Sequence, residues 1–219
     1  ASSLGLDDPS IASDCMGQAS GGVCVAECAP GYDITGSATL VMCMGSSFTA
    51  MNGAAMPTCT AVPCVHGKPL GLGVSHDCDG KATGETCTAT CSAGYLHAGA
   101  GADQTFTCLG TSSFSGTNPS CQASACASLT LGPAYSSGCA GKVTGDTCVV
   151  DCASGYSRTG VAQIFTCETN GTLTGTLPTC DAKQCTTGMP IDIDLNPTDC
   201  AGVATGQTCT VTCAGGYEG

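Results

Sequence analysis

Cysteine is the residue of this chain whose number and spacing could do chemistry: 21 of 219 residues. Regularly spaced thiols ligate metals as thiolates, act as nucleophiles or redox groups, or cross-link as disulfides. The C-x3-C pairs Cys24/Cys28, Cys87/Cys91, Cys148/Cys152 and Cys209/Cys213 would suit zinc on spacing alone. A repeated zinc site would need thiolates only, however, because His66, His76 and His97 crowd into one stretch of the chain. No nucleophile–base set recurs around these histidines, and they read as solvent-exposed loop residues. Disulfides suit the remaining composition, with no Trp, four Phe, five Tyr and 32 Gly. Such a chain buries too little apolar surface to offset its conformational entropy, so cross-links must supply the difference. Cysteines used this way imply an oxidising compartment, secreted, cell-surface or lumenal.

Two further stretches carry oxygen chemistry. Asp192, Asp194, Asn196 and Asp199 could offer ligands to calcium, but the stretch lacks the turn Gly and terminal Glu of an EF-hand loop and reads as solvated. Asn170-Gly171-Thr172 is a glycosylation sequon, whereas Asn118-Pro-Ser120 and Asn196-Pro-Thr198 are disqualified by the central Pro. No catalytic residue, metal or cofactor is expected. The net charge of −12, with five Lys plus Arg, opposes nucleic acid and anionic lipid as partners. No apolar run is long enough to span a membrane.

The cysteines are positioned by an internal repeat. Thr83-Gly-Glu-Thr-Cys87-Thr-Ala-Thr-Cys91-Ser-Ala-Gly-Tyr95 recurs from Thr144 to Tyr156, from Thr205 to Tyr217 and, more loosely, from Ser20 to Tyr32. A further Cys precedes each copy by nine residues: Cys15, Cys78, Cys139 and Cys200. In register, the complete second and third repeats have six cysteines each. The first has five and the fourth four. The expected modules are residues 1–59, 64–121, 126–180 and 185–219, with the first lacking its leading Cys and the fourth partial. The odd total is read as both ends cutting through a module, with Cys43, Cys185 and Cys213 paired to cysteines outside the 219 residues. A four-residue joint separates each pair of modules: Thr60–Pro63, Gln122–Ala125 and Asp181–Gln184. Four residues reach about 14 Å at most, so a constant joint predicts a rod or shallow superhelix.

Inside a module the pattern predicts short strands and turns. The C-x3-C stretches have β-branched content and Gly punctuation, and a second strand runs into the fifth cysteine at Leu40–Cys43, Gln104–Cys108 and Gln163–Cys167. No window sustains a 3.6-residue apolar period, so no helix of consequence is expected. Pro57, Pro119 and Pro178, two residues before the closing Cys, should end strand pairing there. The fold class is all-β.

These motifs resemble the sushi domain, also called the complement control protein module. In the second repeat Cys64, Cys91-Ser-Ala-Gly-Tyr95, Phe106-Thr-Cys108 and Pro119-Ser-Cys121 fall at the family's four cysteines and their punctuation. The third repeat matches through Cys126, Cys152, Cys167 and Cys180. The chain departs from the family in lacking its Trp, near whose place stand Phe48, Phe114, and Leu173 or Leu177. Each repeat also has an added cysteine pair. Six cysteines allow 15 connectivities. The resemblance implies first-to-third and second-to-fourth bridges: Cys64–Cys108, Cys91–Cys121, Cys126–Cys167, Cys152–Cys180 and Cys28–Cys59. The added pairs would then be Cys15–Cys24, Cys78–Cys87, Cys139–Cys148 and Cys200–Cys209.

Two functions follow, both extracellular and non-enzymatic. The first is a structural array that self-associates head to tail or continues as one chain, giving a fibre, filament or cell coat. The second is a secreted or cell-surface binding or adhesion ectodomain recognising a protein or glycan, as sushi arrays commonly do. A fibre needs every module alike, whereas a binding array needs one face that differs between modules.

Overall fold

The structure, a computed structural model, describes residues 4–217; the outermost residues of the first and fourth expected modules, 1–3 and 218–219, lie outside the described residues. Its regular elements are strands and two single-turn 3-10 segments, Met51–Gly53 and Thr198–Cys200. Two compact units divide the chain. One holds the chain up to Ser92 with Leu96–Gln122, the other Ala93–Tyr95 with the chain from Ala123 on.

In the first repeat the strands are β1 (Ile11–Ser13), β2 (Val23–Cys28), β3 (Tyr32–Thr35), β4 (Thr39–Met44), β5 (Ser47–Ala50) and β6 (Thr58–Ala61). β1-β2-β4-β5 form one antiparallel sheet and β3-β6 a second. The second repeat has β7 (Val74–His76), β8 (Thr86–Cys91), β9 (Tyr95–His97), β10 (Gln104–Cys108), β11 (Phe114–Ser115) and β12 (Cys121–Ala123). The third has β13 (Tyr135–Ser137), β14 (Thr147–Cys152), β15 (Tyr156–Thr159), β16 (Gln163–Cys167), β17 (Leu173–Thr174) and β18 (Thr179–Ala182). Both keep the same order, a four-stranded sheet and a two-stranded one. The strands expected over each C-x3-C stretch and running into the fifth cysteine are these central pairs, β2/β4, β8/β10 and β14/β16.

Two local expectations differ from the structure. Pro57 and Pro178 do not end pairing: β6 and β18 begin on the next residue and pair with the strand that opens at Tyr32 or Tyr156. A proline lacks an N–H, and immediately ahead of a strand's first residue the ladder does not call on that donor. The stretch Cys209–Cys213 was expected to be a strand throughout, yet only Thr212–Cys213 (β20) pairs, with Leu195–Asn196 (β19). In the other repeats this strand gains its length from the ladder to β4, β10 or β16, and no such neighbour is present among the described residues of the fourth repeat.

Each of the first three repeats has its own small core, in which half-cystines take the place of large side chains. Cys64, Cys78, Cys87, Ala89, Phe106, Cys108 and Phe114 form one. Cys15, Cys24, Ala26 and Val41 form another, and Cys139, Cys148, Val150 and Phe165 a third. The ring of Phe106 lies where a Cβ on Gly116 would fall, 2.6 Å away, and Phe165 stands likewise against Gly175. The first repeat fills this place with another pair: Val41 stands where the others have Phe and faces Ala50 across the ladder. Register makes three of the residues expected near the place of the family's Trp equivalent to one another, since Phe48 faces Cys43, Phe114 faces Cys108 and Leu173 faces Cys167. Leu177 is about half exposed and has no such role.

The repeated Gly-Tyr and Thr-Gly signatures meet at the joints. Between the first two repeats Val62 N donates to Gly31 O (2.8 Å), and Thr83 N donates to Val62 O (3.0 Å). Ser124 N to Gly94 O and Thr144 N to Ser124 O repeat this arrangement at 2.8 and 2.9 Å. Lys183 N to Gly155 O and Thr205 N to Lys183 O repeat it again at the same distances. The Thr83 and Thr144 hydroxyls each add a second bond to the same joint carbonyl, at 3.2 and 3.3 Å, whereas the Thr205 hydroxyl lies closer to Gly155 O (2.8 Å) than to Lys183 O (3.2 Å). Gly is required at these places for a steric reason as well. Gly31 has φ +88°, and a Cβ there would lie 2.4 Å from the Gly110 Cα.

Candidate functional site

The sheet of each repeat has one face turned inward and one outward, because side chains alternate along a strand. Cys24 and Ala26, Cys87 and Ala89, and Cys148 and Val150 point inward and are buried. Their neighbours point out, and register pairs them across the central ladder. In the first repeat these pairs are Val25 with Leu40 and Val23 with Met42. In the second they are Thr88 with Thr105 and Thr86 with Thr107. In the third they are Val149 with Ile164 and Thr147 with Thr166. One backbone frame therefore displays an apolar face, a hydroxyl face and a mixed face. Leu40 and Ile164 are exposed by 51% and 64%, too much for core residues.

The loops entering the sheets vary in the same way. A pair of apolar residues two apart precedes the first strand of every repeat. Leu4 and Leu6 pack on the first core, and Leu129 and Leu131 on the third. Leu70 and Leu72 in the second repeat, and Ile191 and Ile193 in the fourth, project into solvent at 75–94% exposure. Besides these surfaces, a cleft of about 550 Å³ lies in the first repeat against Leu4, Leu6, Met16 and Phe48.

The cysteines lie as follows. Sulfur–sulfur bonds join Cys15–Cys24, Cys28–Cys59, Cys64–Cys108, Cys78–Cys87 and Cys91–Cys121. Cys126–Cys167, Cys139–Cys148, Cys152–Cys180 and Cys200–Cys209 complete the set. Cys43 is unpaired and buried; Cys185 and Cys213 are unpaired and exposed. Asp14 and Asp77 each approach two sulfurs, but those sulfurs are disulfide-bonded. The two carboxylates instead accept the backbone N–H of Val25 (2.7 Å) and Thr88 (2.6 Å).

The histidines are not alike. His66 is exposed, as expected of a loop residue. His76 lies on β7, its Nδ1 accepting the Cys78 N–H at 3.3 Å. His97 lies on β9, half-buried, with Nε2 2.9 Å from Asp103 Oδ1 and Nδ1 3.4 Å from Cys91 Sγ. For these two the expectation of solvent-exposed loop residues is corrected: sequence shows no partner because Asp103 and Cys91 reach His97 only through the fold. In the third repeat the residue matching His97 is Arg158, which donates to the Asp151 carboxylate. That guanidinium, followed by the Cys152 N–H, holds the Asp151 carboxyl below the ordinary carboxylate range.

Asp192, Asp194 and Asp199 do not converge on a common point with any third ligand among the described residues. Asn196 Oδ1 caps the backbone of Thr198 at 3.2 Å. Asn170 is exposed in the turn between β16 and β17, and its Oδ1 accepts both the N–H and the hydroxyl of Thr172, at 3.0 and 2.6 Å. The outward sheet residues were missed as a site by sequence reasoning. The signal was present in the alternation around each C-x3-C, but it became a surface only once register placed the facing strand.

Among the described residues no helix is long and apolar enough to cross a membrane. Nine disulfides place the chain in an oxidising compartment, and it is extracellular, either secreted or at the cell surface. The chain is similar to E-selectin of Bos taurus (27% identity over 87% of this chain and 39% of the relative). It is also similar to E-selectin of Homo sapiens (36% over 58% of this chain and 21% of the relative) and to P-selectin of Mus musculus (30% over 74% and 21%). It thus spans well under half the length of these relatives. A family model for the Sushi repeat (SCR repeat) matches residues 59–121 and 130–180, just over half of the chain. Together with the disulfide-held sheets and the Gly-Tyr punctuation, this match shows that the chain belongs to the Sushi repeat family.

Proposed function

We propose that the chain is a non-enzymatic binding or adhesion ectodomain whose successive repeats present different chemistry to an extracellular protein or glycan. The observation that supports this reading is the contrast between the two faces of one frame. The inward residues stay nearly constant from repeat to repeat, while the outward pairs run from Val25/Leu40 to Thr88/Thr105 to Val149/Ile164. A fibre built of equivalent contacts would keep the outward face constant. Contiguous apolar residues left in water commonly mark interaction surfaces, and the projecting Leu70/Leu72 and Ile191/Ile193 loops add to them. The similarity to selectins points the same way, since sushi arrays commonly serve in recognition.

The filament reading keeps one observation in its favour: the three joints use the same hydrogen bonds. Constant joints suit a stiff ectodomain equally well. The modules are proposed as residues 1–59, 64–121, 126–180 and 185–219, and Asn170 as the carrier of an N-linked glycan. The test is to immobilise the oxidised chain and screen it against arrayed glycans and cell-surface proteins. The best binder is then re-measured against two surface variants, Val25→Thr/Leu40→Thr and Val149→Thr/Ile164→Thr, each of which copies the second repeat. Saturable binding weakened about tenfold or more by at least one variant, with all nine bridges intact, supports the proposal. Absence of any binder, with filaments in electron micrographs that a reductant dismantles, overturns it.

A further inference from the structure

One bridge differs from its two counterparts in what stands beside it. Cys28–Cys59, Cys91–Cys121 and Cys152–Cys180 occupy the same place in successive repeats. Two residues after the Gly-Tyr tyrosine stand Ile34, His97 and Arg158 respectively. Ile34 has no proton to give. Arg158 is turned to the Asp151 carboxylate and the Gly160 carbonyl. His97 alone faces sulfur, Nδ1 lying 3.4 Å from Cys91 Sγ. Its other nitrogen is held by Asp103 at 2.9 Å. The Thr90 hydroxyl, then His97, hold the Asp103 carboxyl below the ordinary range, so it is the anionic form that faces the ring. Both cysteines are half-buried rather than sealed in the core, unlike the buried Cys64–Cys108 and Cys78–Cys87.

We propose that Cys91–Cys121 is a thiol-exchange site, with His97 as proton donor to the departing sulfur and Asp103 as the positioning residue. The co-reactant is a thiolate, from a small extracellular thiol or a protein cysteine. It attacks Cys121 Sγ, forming a new sulfur–sulfur bond as the Cys121–Cys91 bond breaks. The electron pair of the broken bond passes to Cys91 Sγ, which takes a proton from the imidazolium Nδ1–H. The products are a mixed disulfide at Cys121, a free Cys91 thiol and neutral His97. No net oxidant is consumed, and a second thiolate displacing Cys121 from the mixed disulfide would complete the reduction. Exchange is faster when the departing sulfur is better stabilised, and a positioned general acid stabilises it where the charge develops.

The other two bridges serve as controls within the same molecule. The native, fully oxidised chain is incubated with reduced glutathione at pH 6.5, quenched by alkylation at timed intervals and peptide-mapped. Cys91–Cys121 should open at least about tenfold faster than Cys152–Cys180, at the low end of general-acid assistance. His97→Gln should bring it within about threefold of Cys152–Cys180 while leaving that bridge unchanged. Asp103→Asn should slow it, and Asp103→Glu should restore part of the rate. Should His97→Gln misfold, His97→Ile copies the residue that the first repeat already tolerates there, and the same slowing is expected. Equal opening of the three bridges in the native chain, or a rate advantage that survives removal of the imidazole, overturns the proposal.

Discussion

Thr83, Thr144 and Thr205 show how much a single side chain can carry in a chain with so little core. Thr83 and Thr144 donate their hydroxyls to the joint carbonyl already accepting their N–H, Thr205 donates to Gly155 O across the same joint, and Thr144 is 9% exposed, so water cannot replace the lost partner. Thr144→Val should weaken the joint by about 1 kcal/mol. Faster amide hydrogen exchange at Ser124 and Thr144, with the cores unchanged, is the expected readout. Asp151 carries a second prediction. Its carboxyl is depressed in the folded chain by Arg158, so the stabilisation is complete above the ordinary value of 3.8 and lost as pH falls through the lowered one. Both side chains are partly exposed, so the effect is small and screened by salt. An NMR titration should place the Asp151 midpoint below 3.8, and Arg158→Gln should move it back up. At this scale the sequence announced which residues recur but not what they touch. Thr83 and its acceptor Val62 are 21 positions apart, and no local pattern links them.

Strands and their packing were more legible, because alternation and β-branching act locally. The β8, β10, β14 and β16 segments follow from residues that prefer a half-buried pleat. What spacing could not decide was set by tertiary contact: whether Leu173 or Leu177 is the counterpart of Phe48 and Phe114, and how far the fourth repeat's strand extends. The glycines facing Phe106 and Phe165 were equally hidden, since a missing Cβ has meaning only beside the ring that occupies its space. Gly175→Ala should overpack the third repeat and cost about 1–3 kcal/mol in urea unfolding. Adding Phe165→Val, which reproduces the Val41 and Ala50 combination of the first repeat, should recover part of that loss. An additive double mutant would mean that the two sites do not share one packing problem.

For the molecule as a whole, the cysteine framework made the all-β class, the compartment and the family legible. The differing outward faces were not, since they are made by pairs of strands. Bridges that close long loops constrain the unfolded chain more. The loop-entropy account gives about 4 kcal/mol for Cys64–Cys108, with a separation of 44 residues, and about 3 kcal/mol for Cys78–Cys87, with a separation of 9. Replacing both cysteines of Cys64–Cys108 by Ala should therefore lower the melting temperature more than the same change at Cys78–Cys87. The reverse order would show that native-state packing, not chain entropy, dominates. Passage through a glycosylating pathway gives the remaining prediction: mass spectrometry of the native protein should find a glycopeptide at Asn170. A bare Asn170 throughout would overturn its proposed role.

The alternation of half-cystines inside with unconstrained side chains outside also makes each repeat a display scaffold. Covalent bonds hold the frame, so positions 23, 25, 40 and 42, or 86, 88, 105 and 107, could be randomised together with little risk to folding. Combinatorial libraries built on those four-residue patches would yield small, protease-resistant binders. The first two repeats, each selected for its own target, would be joined by a linker that already exists.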